Sequence, residues 1–330
     1  MAERPPPPPP PPRRPADRRY AQVFDDIKLV SDLTTPPQAQ TWVAAQPPDP
    51  TPHDVLLYLG CNVLQTSHMV QTVTAILDLL GVDYVAVGGP GYCCGIVHHR
   101  GGDRDAARGM ARAAIKHIEQ FRPGRVLMWC PSCTYYYDEL FEEELPFETE
   151  HVTEFLAARL DRLTFVRDVR SRVALHWHSL KPRRRREAEA AKTLLAAVPG
   201  LEYIEIGSDD LLGNTCVPAE LDRAEWSRSI EQQLRDAEQA GASIFATLYH
   251  SCQRLICVEE EHSSLTIEHY LSVFARALGI EHEDTYKRYR LWRDPDQVLA
   301  DMAPCMAANA VDPGRAREIV ARTFPPANPS

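Results

Sequence analysis

Five cysteines in the first half of the chain fall into three short groups: Cys61 alone, Cys93 and Cys94 side by side in GYCCG, and Cys130 and Cys133 in WCPSC. Thirty-one residues separate Cys61 from Cys93, and thirty-five separate Cys94 from Cys130. Thiolates are soft ligands suited to iron, zinc and sulfide-bridged clusters, and a CxxC loop lets two sulfurs point at one centre. Adjacent cysteines are less common, but Gly91 and Gly95 relax the backbone so that both sulfurs can face one cavity. Five thiolates exceed the four that a tetrahedral zinc site or a cubane cluster requires, so one is spare or the cluster is unusual, and the surplus favours redox chemistry.

Parallel strands covered by helices would position these loops. From Asp54 onward, short apolar runs alternate with helical periodicity, the pattern of an α/β fold. DVLLYLG reads as a strand, Thr66 to Leu80 as a helix, VDYVAV as a strand, Asp103 to Phe121 as a helix and RVLMW as a strand. Each cysteine group then lies just past the carboxyl end of a strand, where open α/β sheets place their sites. The second half repeats the order with RVALHWH, a helix near Arg186 to Val198, LEYIEI, a helix from Arg223 to Ala240, and SIFATL. An offset of 119 carries Cys130 and Cys133 onto Tyr249 and Cys252. With small slips, Cys61 falls on Ser179, and the Cys93–Cys94 pair on Thr215 and Cys216. The expected organisation is a Pro-rich disordered tail over 1–50, a first unit over 51–165, and a second unit with C-terminal helices over 166–330. Within the tail, Tyr20 to Leu33 is amphipathic enough for a short helix on the body or on a partner.

The pattern C-x31-CCG-x35-CPSC resembles the cysteine-rich CCG domain of the heterodisulfide reductase B subunit family, whose relatives include the iron–sulfur subunits of glycolate oxidase and lactate-utilisation proteins. Members carry two such domains in tandem, so the resemblance covers roughly residues 54 to 290 and implies two pseudo-symmetric CCG-type α/β units with parallel sheets. It further implies that Cys61, Cys93, Cys94, Cys130 and Cys133 ligate a 4Fe–4S cluster, either noncubane and disulfide-cleaving or ordinary. Cys93 and Cys94 would lie nearest the substrate. Zinc is the remaining alternative for this motif.

The second copy departs from the pattern. The family's HDPC appears as His176, Trp177, His178 and Ser179, and serine is a poor iron ligand because its hydroxyl stays protonated. The second CCG reads Thr215, Cys216, Val217, and the second CxxC reads Tyr249, His250, Ser251, Cys252. Cys216, Cys252 and Cys257 with His176, His178 and His250 leave two readings open: a mixed Cys/His site for zinc or iron, or a vestigial pocket without metal. Cys216 or Cys252 could instead act as a redox thiol carrying a persulfide. His98 and His99 could donate protons to a substrate sulfur, Arg183 to Arg186 form a charge run expected to be solvated, and Cys305 lies outside both copies.

A net charge of −10 argues against a nucleic-acid partner. The longest apolar runs, of about seven residues, are far short of a transmembrane segment, and a cytoplasmic location is expected. Nine cysteines in such a chain fit metal binding better than disulfides. No ferredoxin-type cysteine run and no flavin or nicotinamide fingerprint occurs, so electrons must come from another chain. The resemblance implies a subunit of a heterodisulfide reductase-like complex, with a ferredoxin-like iron–sulfur subunit and a flavin-containing subunit as partners, acting on a disulfide, thiol or persulfide. The alternatives are an electron-transfer subunit of a flavin-dependent 2-hydroxy-acid oxidase and a zinc-bearing scaffold.

Overall fold

The computed structural model describes residues 15–207, 212–214, 216 and 222–326. Two four-stranded parallel sheets share one topology, with strand orders 2-1-3-4 and 6-5-7-8. The first contains β1 (Val55–Gly60), β2 (Tyr84–Gly88), β3 (Arg125–Met128) and β4 (Thr149–His151), and the second contains β5 (Ser171–His176), β6 (Leu201–Ile204), β7 (Ile244–Thr247) and β8 (Thr266–His269). The expected doubled α/β architecture is present. Central strands β1 and β5 are buried over their apolar residues because helices cover both faces of each sheet.

Helices follow in chain order: α1 (Pro15–Thr34), α2 (Ser67–Leu79), α3 (Ile96–Arg100), α4 (Arg104–Glu119), α5 (Pro131–Tyr135), α6 (Val152–Ala157) and α7 (Pro182–Ala196). The second half adds α8 (Arg223–Gln239), α9 (His250–Ile256), α10 (Tyr270–Ala277), α11 (Thr285–Trp292), α12 (Pro295–Ala308) and α13 (Pro313–Thr323). Aspartates start many of them: Asp103, Asp284 and Asp312 each accept a backbone N–H of the first turn, satisfying a donor that the helix leaves unpaired.

Two elements depart from the sequence reading. Strands β4 and β8 were not expected; each is only three or four residues long, too short for an alternation signal. Both end in Glu-His, and both histidines cap the next helix: His151 Nδ1 accepts from Thr153 N–H, and His269 Nδ1 accepts from Leu271 N–H. The repeat of that dipeptide at an offset of 118 was the available signal.

The stretch expected to be a disordered tail over 1–50 instead contains α1, while residues 1–14 lie outside the described residues. Val30 and Leu33 are almost fully buried against Val298, Met302, Ile319 and Val320 of α12 and α13. Each such side chain contributes roughly 1.5–3 kcal/mol, enough to hold a helix that proline-rich flanks alone would not support. Ile27 reaches further, packing with Cys61 and Cys93. Helix α1 therefore closes one side of the cysteine site.

Candidate metal centres

Strand β1 stops at Gly60 with φ +69°, a left-handed turn that aims Cys61 back toward the sheet end. A Cβ on Gly60 would lie 2.7 Å from the Cys133 sulfur, so this glycine leaves room for the CPSC loop to bring its thiol inward. At Gly95, φ +89°, a Cβ would strike the Ala107 carbonyl oxygen at 2.3 Å, which lets the CCG turn fold against α4. Gly60→Val is therefore expected to displace Cys133 and cut the iron retained on purification to roughly half or less, measured against unchanged far-UV dichroism.

The five sulfurs meet in one run. Cys61 Sγ is 3.8 Å from Cys93 Sγ, Cys93 touches Cys94, Cys94 touches Cys133, and Cys133 touches Cys130. All five are buried. The contacts with Cys61 and Cys94, and the Gly95 N–H donated to its sulfur at 3.4 Å, hold the Cys93 thiol well below its ordinary pKa. Cys133, with His250 beside it, does the same for Cys130. Sulfur contacts and burial push Cys61 and Cys133 up, and burial pushes Cys94 up. Five thiols buried together oppose one another's ionisation, and a positively charged metal assembly would relieve that opposition. The converging thiols and the two glycine-made clearances fit an iron–sulfur cluster.

The second unit completes this site. Arg254 of α9 donates from Nη1 to Asn62 Oδ1 at 2.5 Å, next to Cys61. Arg184 of α7 donates from Nη2 to the Pro131 carbonyl inside CPSC at 2.8 Å, and from Nη1 to both Glu187 oxygens at 2.9 and 2.7 Å. Tyr249 donates its hydroxyl to Glu187. A cavity of about 540 Å³ opens onto Cys61, Cys94, Cys130 and Cys133. Arg100, Arg254, Arg290 and Arg322 line it, against a single carboxylate, Asp26.

At the end of β5 a second, smaller group forms. His176, His178, Cys216 and Cys252 are fully buried, with donor atoms all within 4.8 Å of one another. None of the four lines the cavity, and both cysteines are at most 1% exposed.

Other candidates lie elsewhere. Cys257 packs with α1 and the C-terminal helices, its Sγ against the Arg254 carbonyl, because a step of five helical residues places it on a different face from Cys252. His250 faces Cys130 of the first unit rather than the second-unit group. His98 stacks on Tyr20 and His99 packs against Tyr136; neither lines the cavity. The arginine run is solvated only in part: Arg184 is buried on Glu187 and Arg183 is half-buried on Asp138, whereas Arg185, donating to the Ser179 carbonyl, and Arg186, beside Glu154, stay exposed. Cys305 is partly exposed on α12. Thr215 and Val217 lie outside the described residues. Sequence reasoning missed Gly60, whose role is clearance for a cysteine some seventy residues later, and Arg254 and the Arg184–Glu187 pair, whose roles depend on contacts between the two units.

Comparison with known proteins agrees with the cysteine pattern. Residues 55–136 match the family described as a cysteine-rich domain, CCG. The chain is 24% identical over 244 residues to the D subunit of the dihydromethanophenazine:CoB–CoM heterodisulfide reductase of Methanosarcina barkeri, covering 69% of this chain and 59% of that protein. It is 26% identical over 245 residues to the D subunit of the same enzyme from Methanosarcina mazei, covering 69% and 60%. The chain thus spans about three fifths of the length of the curated relatives it matches. Among solved structures, an aspartate racemase homologue from Pyrococcus horikoshii aligns over 68% of this chain and 97% of its own at 13% identity with a TM-score of 0.32, too low to carry an argument. Among the described residues no helix is long and apolar enough to cross a membrane.

Proposed function

We propose, for a chain that carries a CCG cysteine-rich domain and is homologous to the D subunit of heterodisulfide reductase, the role of substrate-handling iron–sulfur subunit in a heterodisulfide reductase-like complex. Cys61, Cys93, Cys94, Cys130 and Cys133 hold one cluster. The observation that carries this reading is the arginine-lined cavity that reaches four of these five cysteines. A cluster that only relayed electrons would need no chamber beside its ligands.

A cluster held by these five cysteines would supply electrons one at a time when bound. Reductive cleavage of one disulfide consumes two electrons and two protons and yields two thiols; the oxidative direction reverses this. The electrons pass through partner subunits, in keeping with a relative that is one subunit of a larger enzyme. This chain's own residues bind and orient. Four guanidiniums against one carboxylate favour a substrate with anionic ends, while Ile27, Val30 and Ile319 supply the apolar wall for its carbon chain and sulfurs. His250, outside the cavity lining, lies beside Cys130 and can hydrogen-bond its sulfur.

Protein purified without oxygen is expected to contain about four iron and four acid-labile sulfide per chain beyond any zinc. With a reduced viologen dye as electron source, it is expected to reduce a small disulfide bearing carboxylates. Arg254→Met is expected to raise KM for that disulfide roughly tenfold with iron content unchanged. Equal KM for the charged disulfide and an uncharged one would remove the anionic-substrate reading. Full iron with no disulfide turnover would instead support an electron relay.

A further inference from the structure

The two sheets can be superposed residue by residue from their strand pairing. Val55 of β1 pairs with Arg125 at the start of β3, and Val173 of β5 pairs with Ile244 at the start of β7. Counting along the central strands from Val55 and Val173 sets His176 at the position of Tyr58 and His178 at that of Gly60. In the first unit Gly60 lacks a side chain, and a Cβ there would collide with Cys133. The second-unit counterpart of Cys133 is Cys252, and here the space is filled: His178 Nε2 lies 3.3 Å from Cys252 Sγ. Cys216, aligned with Cys94, has its Sγ 3.8 Å from His176 Nε2.

A tetrahedral ion with two thiolates at about 2.3 Å and two imidazoles at about 2.0 Å holds its donors roughly 3.3–3.8 Å apart. The sulfur–nitrogen edge is about 3.5 Å, and the separations of 3.3 and 3.8 Å lie within about 0.3 Å of it. The outer atoms of both rings are also engaged as a metal site requires. His176 Nδ1 meets Gln233 Oε1 at 2.9 Å, and His178 Nδ1 meets the Gly213 carbonyl at 3.1 Å. Acceptors at both Nδ1 atoms place the protons there and turn the Nε2 lone pairs inward, toward the sulfurs.

We propose that His176, His178, Cys216 and Cys252 bind one zinc ion as a closed structural site. Two thiolates and two neutral imidazoles balance the charge of a divalent ion, so the buried site becomes neutral, and binding releases the two thiol protons to solvent. No ligand position remains open for substrate. The ion ties together the ends of β5, the segment bearing Cys216, and α9, whose His250 and Arg254 reach into the first-unit site. The second copy differs from the first at each of these places: His178 stands for Gly60 and His176 for Tyr58, while Ser179, Thr215 and Tyr249 replace Cys61, Cys93 and Cys130, leaving two thiols and two imidazoles for a single ion.

The test separates this site from the iron site. Wild-type protein and a Cys130→Ser/Cys133→Ser variant are both expected to contain one zinc per chain by mass spectrometry of metals, the variant having lost iron. His178→Ala is expected to lose zinc and keep iron. Produced in cobalt-supplemented medium, the iron-free variant is expected to absorb at about 600–700 nm with the intensity of a tetrahedral sulfur–nitrogen site. Stripping zinc from wild-type protein with a chelator is expected to lower its melting temperature while the brown colour persists, a readout that does not depend on any variant folding. Protein with full iron and no zinc would overturn the proposal. So would zinc that leaves with Cys130 and Cys133 but survives His178→Ala, or a single iron in place of zinc in the variant.

Discussion

Serine at both Cys130 and Cys133 is expected to leave a folded, colourless protein with roughly a tenth or less of the wild-type iron and sulfide. The reason lies in ionisation. A serine hydroxyl stays protonated where a thiol beside His250 and Cys133 is held well below its ordinary pKa, so the substitution removes the negative charge that a cluster requires. The swap is nearly isosteric, and the sheet underneath is buried independently of the sulfurs, which keeps the fold intact. Absorbance near 400 nm, iron and sulfide analysis, and a thermal melt check the three parts separately. Retention of more than half the iron would show that the cluster hangs on other ligands.

The second large effect is expected from Glu187→Gln. Arg184 and Glu187 are 1% and 0% exposed as side chains, and breaking such a pair strands a charge in the interior at a cost of about 3–5 kcal/mol. Burial alone would push the Glu187 pKa up. His151, charged over the acid range in which Glu187 titrates, opposes this together with Arg184 and the Tyr249 hydroxyl, and the three hold Glu187 at about 2. An unfolded glutamate titrates at about 4.3. The folded value is the lower one, so the stabilisation is fully present above about pH 4.3, at about 3 kcal/mol, and drains away as pH falls toward 2. Urea denaturation of wild-type and variant across this range is expected to show the gap closing as acid is added; a constant gap would mean that Glu187 contributes no ionised charge. Since Arg184 also holds the Pro131 carbonyl, the variant is expected to lose cluster faster in air.

How far a sequence discloses such a molecule depends on the range of the forces involved. Strands β1, β3, β5 and β7 were legible because buried apolar runs are local, and the five cysteines because ligand spacing is local once strand ends are known. His176, His178, Cys216 and Cys252 were nameable as a group, yet Cys257 was wrongly included, since sequence proximity to Cys252 says nothing about which side of α9 faces the sheet. The arginine run misled for a related reason. Four consecutive cations look like a solvated face, and only the meeting of α7 with the CPSC loop buries one of them, Arg184, almost completely. Helix α1 was recognisable as amphipathic, but its partners come some 270 residues later.

That separation bears on the order in which the molecule can be finished. Helix α1 leaves the ribosome before either sheet; Ile27 can rest on Cys61 and Cys93 once the first unit is made, but Val30 and Leu33 stay uncovered until α12 and α13 emerge, and Asn309 then fastens the helix by donating to the Asp32 and Thr35 carbonyls. Through most of synthesis the helix over Cys61 and Cys93 therefore rests on only part of its final seat, and it is secured at its other end when the last two helices arrive.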